Sequence, residues 1–225
     1  MDWNAIRLVV FDVDGTLYDQ RPLRIRIALE LLADAASKWN LGTFRILRVY
    51  RKLREKFGDN ETPSFERELV IETALQTGKS EDCVRRTVAD WMETRPLRHL
   101  PACLYPGVER LFVGLRQKDK TIAILSDYPV AAKLAALGLE ADFEVCAGDP
   151  DVGVLKPSPL GLLKAMAVSG ARPDETVLVG DRIDRDGEAA RRCGAAALIR
   201  SSTPKAGWAT FAKYDDPIFE VFLEH

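Results

Sequence analysis

The apolar run Ile6, Leu8, Val9, Val10 and Phe11 ends abruptly in Asp12-Val13-Asp14-Gly15-Thr16-Leu17. The run predicts a buried strand, and two carboxylates at the end of a buried strand are costly to place. An ionised carboxylate near a core must be paired or must bind a metal. Two of them converging on one spot ask for a cation, and Mg²⁺, which takes oxygen ligands, is the natural candidate. Gly15 lets the chain turn sharply without a Cβ clash, and Thr16 adds a hydroxyl that can fix the loop or a ligand. The plainer reading is a polar turn closing a strand, since Asp and Gly are common turn residues.

Two textures follow along the 225 residues. From about residue 21 to residue 100 no strand pattern recurs, and the apolar residues fall at helical spacing. Examples are Ile46, Tyr50, Leu53 and Phe57, and further on Val84, Val88 and Trp91. Gly42, Gly58, Gly78, Pro63 and Pro96 divide this stretch into about four helices. After Pro106-Gly107 short apolar strands are expected at 121–125, 143–147, 176–179 and 195–199. Helices are expected between them, at 108–118, 130–137, 160–168 and 184–193.

Such alternation predicts an α/β fold with a doubly wound parallel sheet. The first strand must join that sheet, because alone it could not bury its apolar run. The expected core is therefore 1–20 with 101–225, and 21–100 is an inserted helical cap over the carboxyl edge of the sheet. That edge is where open α/β sheets bind ligands. Trp208, Phe211, Phe219 and Phe222 in the tail are expected to pack on the core.

Composition narrows the function classes. A net charge of −2 gives no field that favours nucleic acid or a membrane surface. The four cysteines lack the paired spacings of zinc or redox sites. The amino terminus lacks a basic segment and long apolar run, so no signal peptide and a cytoplasmic location are expected.

Each later strand ends in something polar. Ser126-Asp127 closes the second strand, and a hydroxyl with a backbone N–H there can hold an oxyanion. As an isolated dipeptide it is more often a turn or helix cap. Lys156 stands in Gly153-Val154-Leu155-Lys156-Pro157-Ser158-Pro159, a loop that presents it as a point charge for anions. Gly180-Asp181 closes a further strand, with Asp184 and Asp186 close behind. Asp184 is expected to cap the next helix and Asp186 to sit in its first turn.

An acid pair, Ser126, Lys156 and an acid cluster, each at a strand end, resemble the haloacid dehalogenase superfamily of hydrolases. The segment at Asp12 looks like its first motif, Ser126 its second, Lys156 its third, and Gly180-Asp181 with Asp186 its fourth. The insertion resembles the helical-cap subgroup that includes phosphoglycolate phosphatase-like enzymes. One departure is Asp127, where relatives often carry Asn.

The resemblance implies Asp12 as nucleophile, forming an aspartyl-phosphate, and Asp14 as acid and then base. It implies Mg²⁺ held by Asp12, the Asp14 carbonyl and Asp181. Lys156 would neutralise nucleophile and phosphate, and Ser126 and Asp127 would bind phosphate. Asp186 and Thr16 would support the metal site from behind its ligands. The implied activity is a phosphatase for a small phosphorylated metabolite, as a monomer or homodimer. Sugar phosphomutase is the alternative, followed by dehalogenase and by a non-catalytic binding module. Asp14 argues against a dehalogenase, whose halide leaving group needs no acid.

Three further features have a functional and a plainer reading. Lys38, Arg45, Arg48, Arg51, Lys52, Arg54 and Lys56 form a basic stretch, in which Arg45, Arg48, Lys52 and Lys56 share one helical face. That face could meet an acidic group, and more simply it is solvated. His99 could touch a leaving group or simply sit at a hinge. Tyr18 could close over the site or simply pack. The hinges of a moving cap are expected near 19–22 and 100–106.

Overall fold

In a computed structural model that describes residues 1–39 and 41–223, six parallel strands form one sheet. They are β1 (Leu8–Phe11), β2 (Thr121–Ser126), β3 (Phe143–Cys146), β4 (Thr176–Gly180), β5 (Ala196–Arg200) and β6 (Ala209–Phe211). Their order is β3-β2-β1-β4-β5-β6. The chain thus winds outward to one side of β1 and then to the other. The crevice where the winding reverses lies at the carboxyl ends of β1 and its neighbours.

Register delivers the polar strand ends to that crevice together. Phe11 pairs with Ile124 on one side and Val179 on the other. Asp12 is therefore level with Leu125 and Gly180, and Ser126 and Asp181 follow one residue later.

Every residue of β1 is buried, as the central strand of a sheet covered on both faces requires. Side chains alternate between the faces. Val9 and Phe11 join Ile122, Ile124 and Val179 against helices α5 (Val108–Gln117) and α6 (Ala131–Leu137). Leu8 and Val10 join Ala123, Leu125 and Leu178 against α7 (Leu160–Ser169) and α8 (Glu188–Cys193). In the tail, Phe211, Phe219 and Phe222 are buried beside Trp3, with α9 (Glu220–Leu223) lying on α5. Trp208 is half-buried and covers Gly187.

Between β1 and α5 the described residues form four inserted α-helices, followed by π and 3-10 turns over 89–103. The helices are α1 (Gln20–Lys38), α2 (Gly42–Asp59), α3 (Phe65–Thr77) and α4 (Glu81–Val88). Asp19 caps α1 by accepting from the Arg21 amide, and Ser80 caps α4 by accepting from Cys83. Ile46, Tyr50 and Leu53 of α2 meet Phe65, Leu69, Val84 and Val88 in a separate cluster, which also takes in Ala147 and Leu155 of the sheet loops. The two connections to the insertion run side by side. Asp19 N donates to Cys103 O at 2.8 Å, and Tyr105 N to Leu17 O at 3.0 Å. Among the described residues no helix is long and apolar enough to cross a membrane.

Two elements depart from expectation. The sheet has a sixth strand, β6, whose three residues are too few for a periodic signal. The helix expected from Asp184 begins as a π turn over Ile183–Gly187, which places Asp184 within the turn. Its carboxylate pairs with Arg182 at 2.7 Å instead of acting as a cap.

Close docking of α5 on α9 depends on Gly114, where a Cβ would lie 1.8 Å from the Phe222 carbonyl oxygen. Gly114→Ala is expected to cost about 1–3 kcal/mol through overpacking, a fall of roughly 2–12 °C in Tm. An unchanged melting curve would show that the carboxyl-terminal segment is not seated as described.

Candidate active site

Asp12 leaves β1 with its amide bonded to Val179 O at 2.9 Å, which fixes its backbone to β4. Its side chain is 7% exposed and meets two donors. Lys156 Nζ lies 2.6 Å from Oδ1, and Thr16 Oγ1 donates to Oδ2 at 2.9 Å. The same ammonium lies 2.6 Å from Asp186 Oδ1. Asp186 Oδ2 accepts from the Arg182 amide at 3.0 Å, so this acid also holds the loop after β4.

Asp181 completes the cluster. One carboxylate oxygen from each of Asp12, Asp181 and Asp186 falls within 4.8 Å of the others. Two glycines permit the crowding. A Cβ on Gly15, at φ +94°, would lie 2.3 Å from Asp181 Oδ2, and one on Gly180 would lie 2.3 Å from Asp186 Cγ.

Three acids and one ammonium leave two negative charges uncompensated when all are ionised. Burial pushes the Asp12 carboxyl up to about 8; Lys156 opposes the shift, and Asp186, Asp181 and Asp14 add to it. Burial and then Asp186 push Asp181 up to about 6. Lys156 is the mirror image. Burial works against its charge, yet Asp12, Asp186 and Asp127 hold its pKa well above the usual range. Oxygen-only donors, crowded and short of positive charge, fit a divalent cation such as Mg²⁺.

Asp14 points its carboxylate elsewhere. Lys133 Nζ lies 2.7 Å from both of its oxygens, and the Tyr18 hydroxyl donates to Oδ1. Burial disfavours its ionised form, but Lys133 and Tyr18 outweigh that and hold its pKa below the usual carboxylate range. Tyr18 therefore meets the site directly.

Ser126 and Asp127 close β2. The Ser126 hydroxyl accepts from the Tyr128 amide at 3.1 Å. Asp127 Oδ1 accepts from the Lys156 amide at 3.1 Å, so this carboxylate positions the lysine loop. The Asp127 carboxylate is thus committed to the lysine loop, and the Ser126 hydroxyl stands at the strand end.

The inserted helices reach the same place. Arg185 is buried behind the cluster, with Nη1 donating to Lys156 O at 2.9 Å and Nη2 to Asp59 Oδ1 at 2.6 Å. Arg182 pairs with Glu55 at 3.0 Å. From α2, Arg54 Nη2 donates to the Asp127 carbonyl, and its guanidinium lies 4.0 Å from the centre of the Tyr128 ring.

Sequence reasoning did not single out Lys133, Tyr128 or Arg185, and it left Arg54 within a basic stretch. Two signals were available. Arg54 is four residues after Tyr50 and seven after Leu47, on the apolar stripe of α2. Lys133 is the one charged residue of Ala131–Leu137. Arg45, Arg48, Lys52 and Lys56 are exposed, the solvated face of the plainer reading, and the Lys38 side chain lies outside the described residues. His99 pairs with Glu30 at 2.7 Å, a contact within the insertion and its return segment.

A family model for haloacid dehalogenase-like hydrolases matches residues 6–194, and the chain belongs to that family. It is 28% identical over 195 residues to the glyceraldehyde 3-phosphate phosphatase of Methanopyrus kandleri, spanning 84% of this chain and 81% of that protein. It is 28% identical over 194 residues to the phosphoglycolate phosphatase of Aquifex aeolicus, spanning 84% and 82%. Among solved structures it resembles a 2-haloacid dehalogenase of Pseudomonas syringae pv. tomato, with TM-score 0.66 and 22% identity over 96% of this chain and 97% of the other. That last likeness concerns the fold alone.

The raised Asp12 carboxyl has a measurable sign. Without metal the folded chain keeps this proton up to about pH 8, whereas the unfolded chain loses it near about pH 3.9. Between those limits the folded state binds more protons, so this group lowers stability as pH rises. In chelator, Asp12→Asn is therefore expected to flatten the fall of Tm from about pH 5 to 8 and to raise Tm at the upper end. Parallel curves for the two proteins would contradict the crowded, buried carboxyl.

Proposed function

We propose that the chain is a Mg²⁺-dependent phosphatase that hydrolyses a small phosphorylated metabolite through an aspartyl-phosphate on Asp12. The observation that carries this reading is the buried Asp12–Lys156–Asp186 group beside Asp181, with a second acid, Asp14, held apart from it. Two relatives named as phosphatases of small monoesters support it.

In the first half-reaction an Asp12 oxygen attacks phosphorus, and the bond from phosphorus to the leaving oxygen breaks. Asp14, which must be protonated before the step against the pull of Lys133 and Tyr18, gives that oxygen its proton. In the second, Asp14 takes a proton from water, whose oxygen attacks phosphorus and frees the Asp12 carboxylate. Lys156 holds Asp12 in place and offsets its charge, and the Ser126 hydroxyl and nearby amides receive phosphate oxygens. Asp12, the Asp14 carbonyl and Asp181 would hold Mg²⁺, and Asp186, with Thr16, would fix the side chains around it. When bound, the metal would supply the positive charge that lets a carboxylate approach a phosphate dianion, and such neutralisation carries most of phosphoryl-transfer catalysis.

The insertion acts as a cap that opens for exchange and closes for chemistry. Its closed position rests on Arg182 and Arg185 of the core against Glu55 and Asp59 of α2. The paired connections at Leu17–Asp19 and Cys103–Tyr105 are its hinge. A cytoplasmic location accords with four cysteines that form no disulfide.

Phosphate release from a panel of small phosphorylated metabolites is expected to require Mg²⁺ and to vanish in Asp12→Asn. Asp14→Asn should lose about 10²–10⁴-fold on an alkyl phosphate. It should lose far less on p-nitrophenyl phosphate, whose leaving group needs no proton. Equal losses on both esters would remove Asp14 from the acid role. Transfer of phosphate between hexose phosphates, without release, would replace the phosphatase by a mutase.

A further inference from the structure

Helix α1 is apolar on two sides. Leu23 and Ile27 are buried in the main core cluster, and Leu31 packs against it. The other side carries Ile25, Leu29 and Leu32, which are 63%, 61% and 66% exposed. The neighbouring α2 has the ordinary pattern, with Arg45, Arg48, Lys52 and Lys56 facing solvent. A helix that is apolar on both sides has a second surface to cover.

The spacing of the exposed residues fits another helix. Ile25, Leu29, Leu32 and Ala36 follow one another at four, three and four residues, the alternation of a helix–helix seam. From 28 to 37 the exposed residues are Ala28, Leu29, Leu32, Ala33, Ala36 and Ser37, none of them charged. Alanines beside leucines leave holes into which the leucines of a facing helix can pack.

The area is that of a stable contact. Trp39 closes α1, and Leu41 and Phe44 open α2, at 96%, 69% and 49% exposure. With Ile25, Leu29 and Leu32 they offer on the order of 800 Å² of apolar surface, what one partner contributes to a standard protein interface. Monomers rarely expose so much in one region.

Charge selects the orientation of a second copy. Arg24 and Arg26 are exposed near the start of α1. Parallel pairing would set these arginines side by side and place the two helix dipoles like end to like end. Antiparallel pairing separates both, and its two-fold axis falls in the middle of the uncharged stretch, near Leu32. A two-fold contact uses the same patch on both subunits, so this one stripe is enough for closed association.

We propose that the protein is a homodimer whose two insertions pair antiparallel through α1, with Leu29 and Leu32 packed around the two-fold axis. None of these residues belongs to the Asp12 cluster, and dimerisation does not depend on the phosphatase reading.

Sedimentation equilibrium of the full chain is expected to give twice the 25.1 kDa mass. A suitable range is about 1–100 µM, which reaches the weakest affinities of interfaces this size. Leu29→Glu combined with Leu32→Glu should weaken association at least about 100-fold. Both positions are exposed, so the far-UV circular dichroism spectrum should not change, and a lost dimer is thereby separated from a lost fold. A short bismaleimide should link Leu32→Cys to its mate. It should fail with Ile25→Cys, whose mates lie about 20 Å apart along the helix axis in the antiparallel pair. The wild-type chain, treated alike, accounts for the four native cysteines. A chain that stays monomeric across the range overturns the proposal. One that is monomeric and also co-floats with vesicles of phosphatidylcholine and phosphatidylserine assigns the face to lipid and overturns it as well. A dimer that survives the two glutamates is held together elsewhere, with the same consequence. Equal linking at positions 25 and 32 overturns the antiparallel pairing.

Discussion

The Lys156 ammonium sits between two buried carboxylates, 2.6 Å from Asp12 and 2.6 Å from Asp186, and the site is arranged around it. Its backbone is fixed from two directions, through its amide by Asp127 and through its carbonyl by Arg185. Removing Lys156 itself is expected to cost about 3–5 kcal/mol, because the buried acids around it are left uncompensated. The same contact joins the end of β1 to the loop after β4. The sheet can therefore hold Asp12 steady while leaving it crowded by Asp181 and Asp186. That crowding is a cost to the fold and the reason the cluster suits a divalent cation.

A second level of organisation links the cluster to the insertion. Arg185 touches Lys156 O on one side and Asp59 and Glu55 of α2 on the other. A Cβ on Gly58 would lie 2.5 Å from its Nη1, so α2 comes down onto this arginine at a residue without a side chain. The position of α2 is thus felt, through Arg185, at the lysine that pairs with Asp12. Exposed ion pairs such as Arg182 with Glu55 contribute little individually. The buried guanidinium of Arg185 is the firmer contact.

What was legible in the sequence follows from where the signal is local. β1, β2 and β4 are continuous apolar runs, and Asp12, Ser126 and Asp181 stand directly at or after their ends. The parallel register then brings those ends level, so the meeting of these residues could be expected from strand order alone. The four inserted helices were equally plain from glycine and proline punctuation. β6 was not, because Ala209-Thr210-Phe211 is too short to show a period and pairs only with β5. Asp184 suited a helix cap, but the adjacent Arg182 offered its carboxylate a stronger partner. Lys133 and Arg54 were opaque for a different reason. A lone cation on an apolar helix stripe marks a position but not its partner, here Asp14 or Tyr128, which only the fold brings to it.

The central claim is that Asp12 becomes covalently phosphorylated, and chemical trapping tests it most directly. The protein is mixed with Mg²⁺ and a substrate that it turns over, quenched within the first turnovers in borohydride, and mapped by peptide mass spectrometry. Reduction of an aspartyl-phosphate converts that aspartate to homoserine. The account predicts homoserine at position 12, absent without substrate and absent without metal. Steady phosphate release with Asp12 recovered intact, or homoserine at Asp14, Asp181 or Asp186, would contradict it.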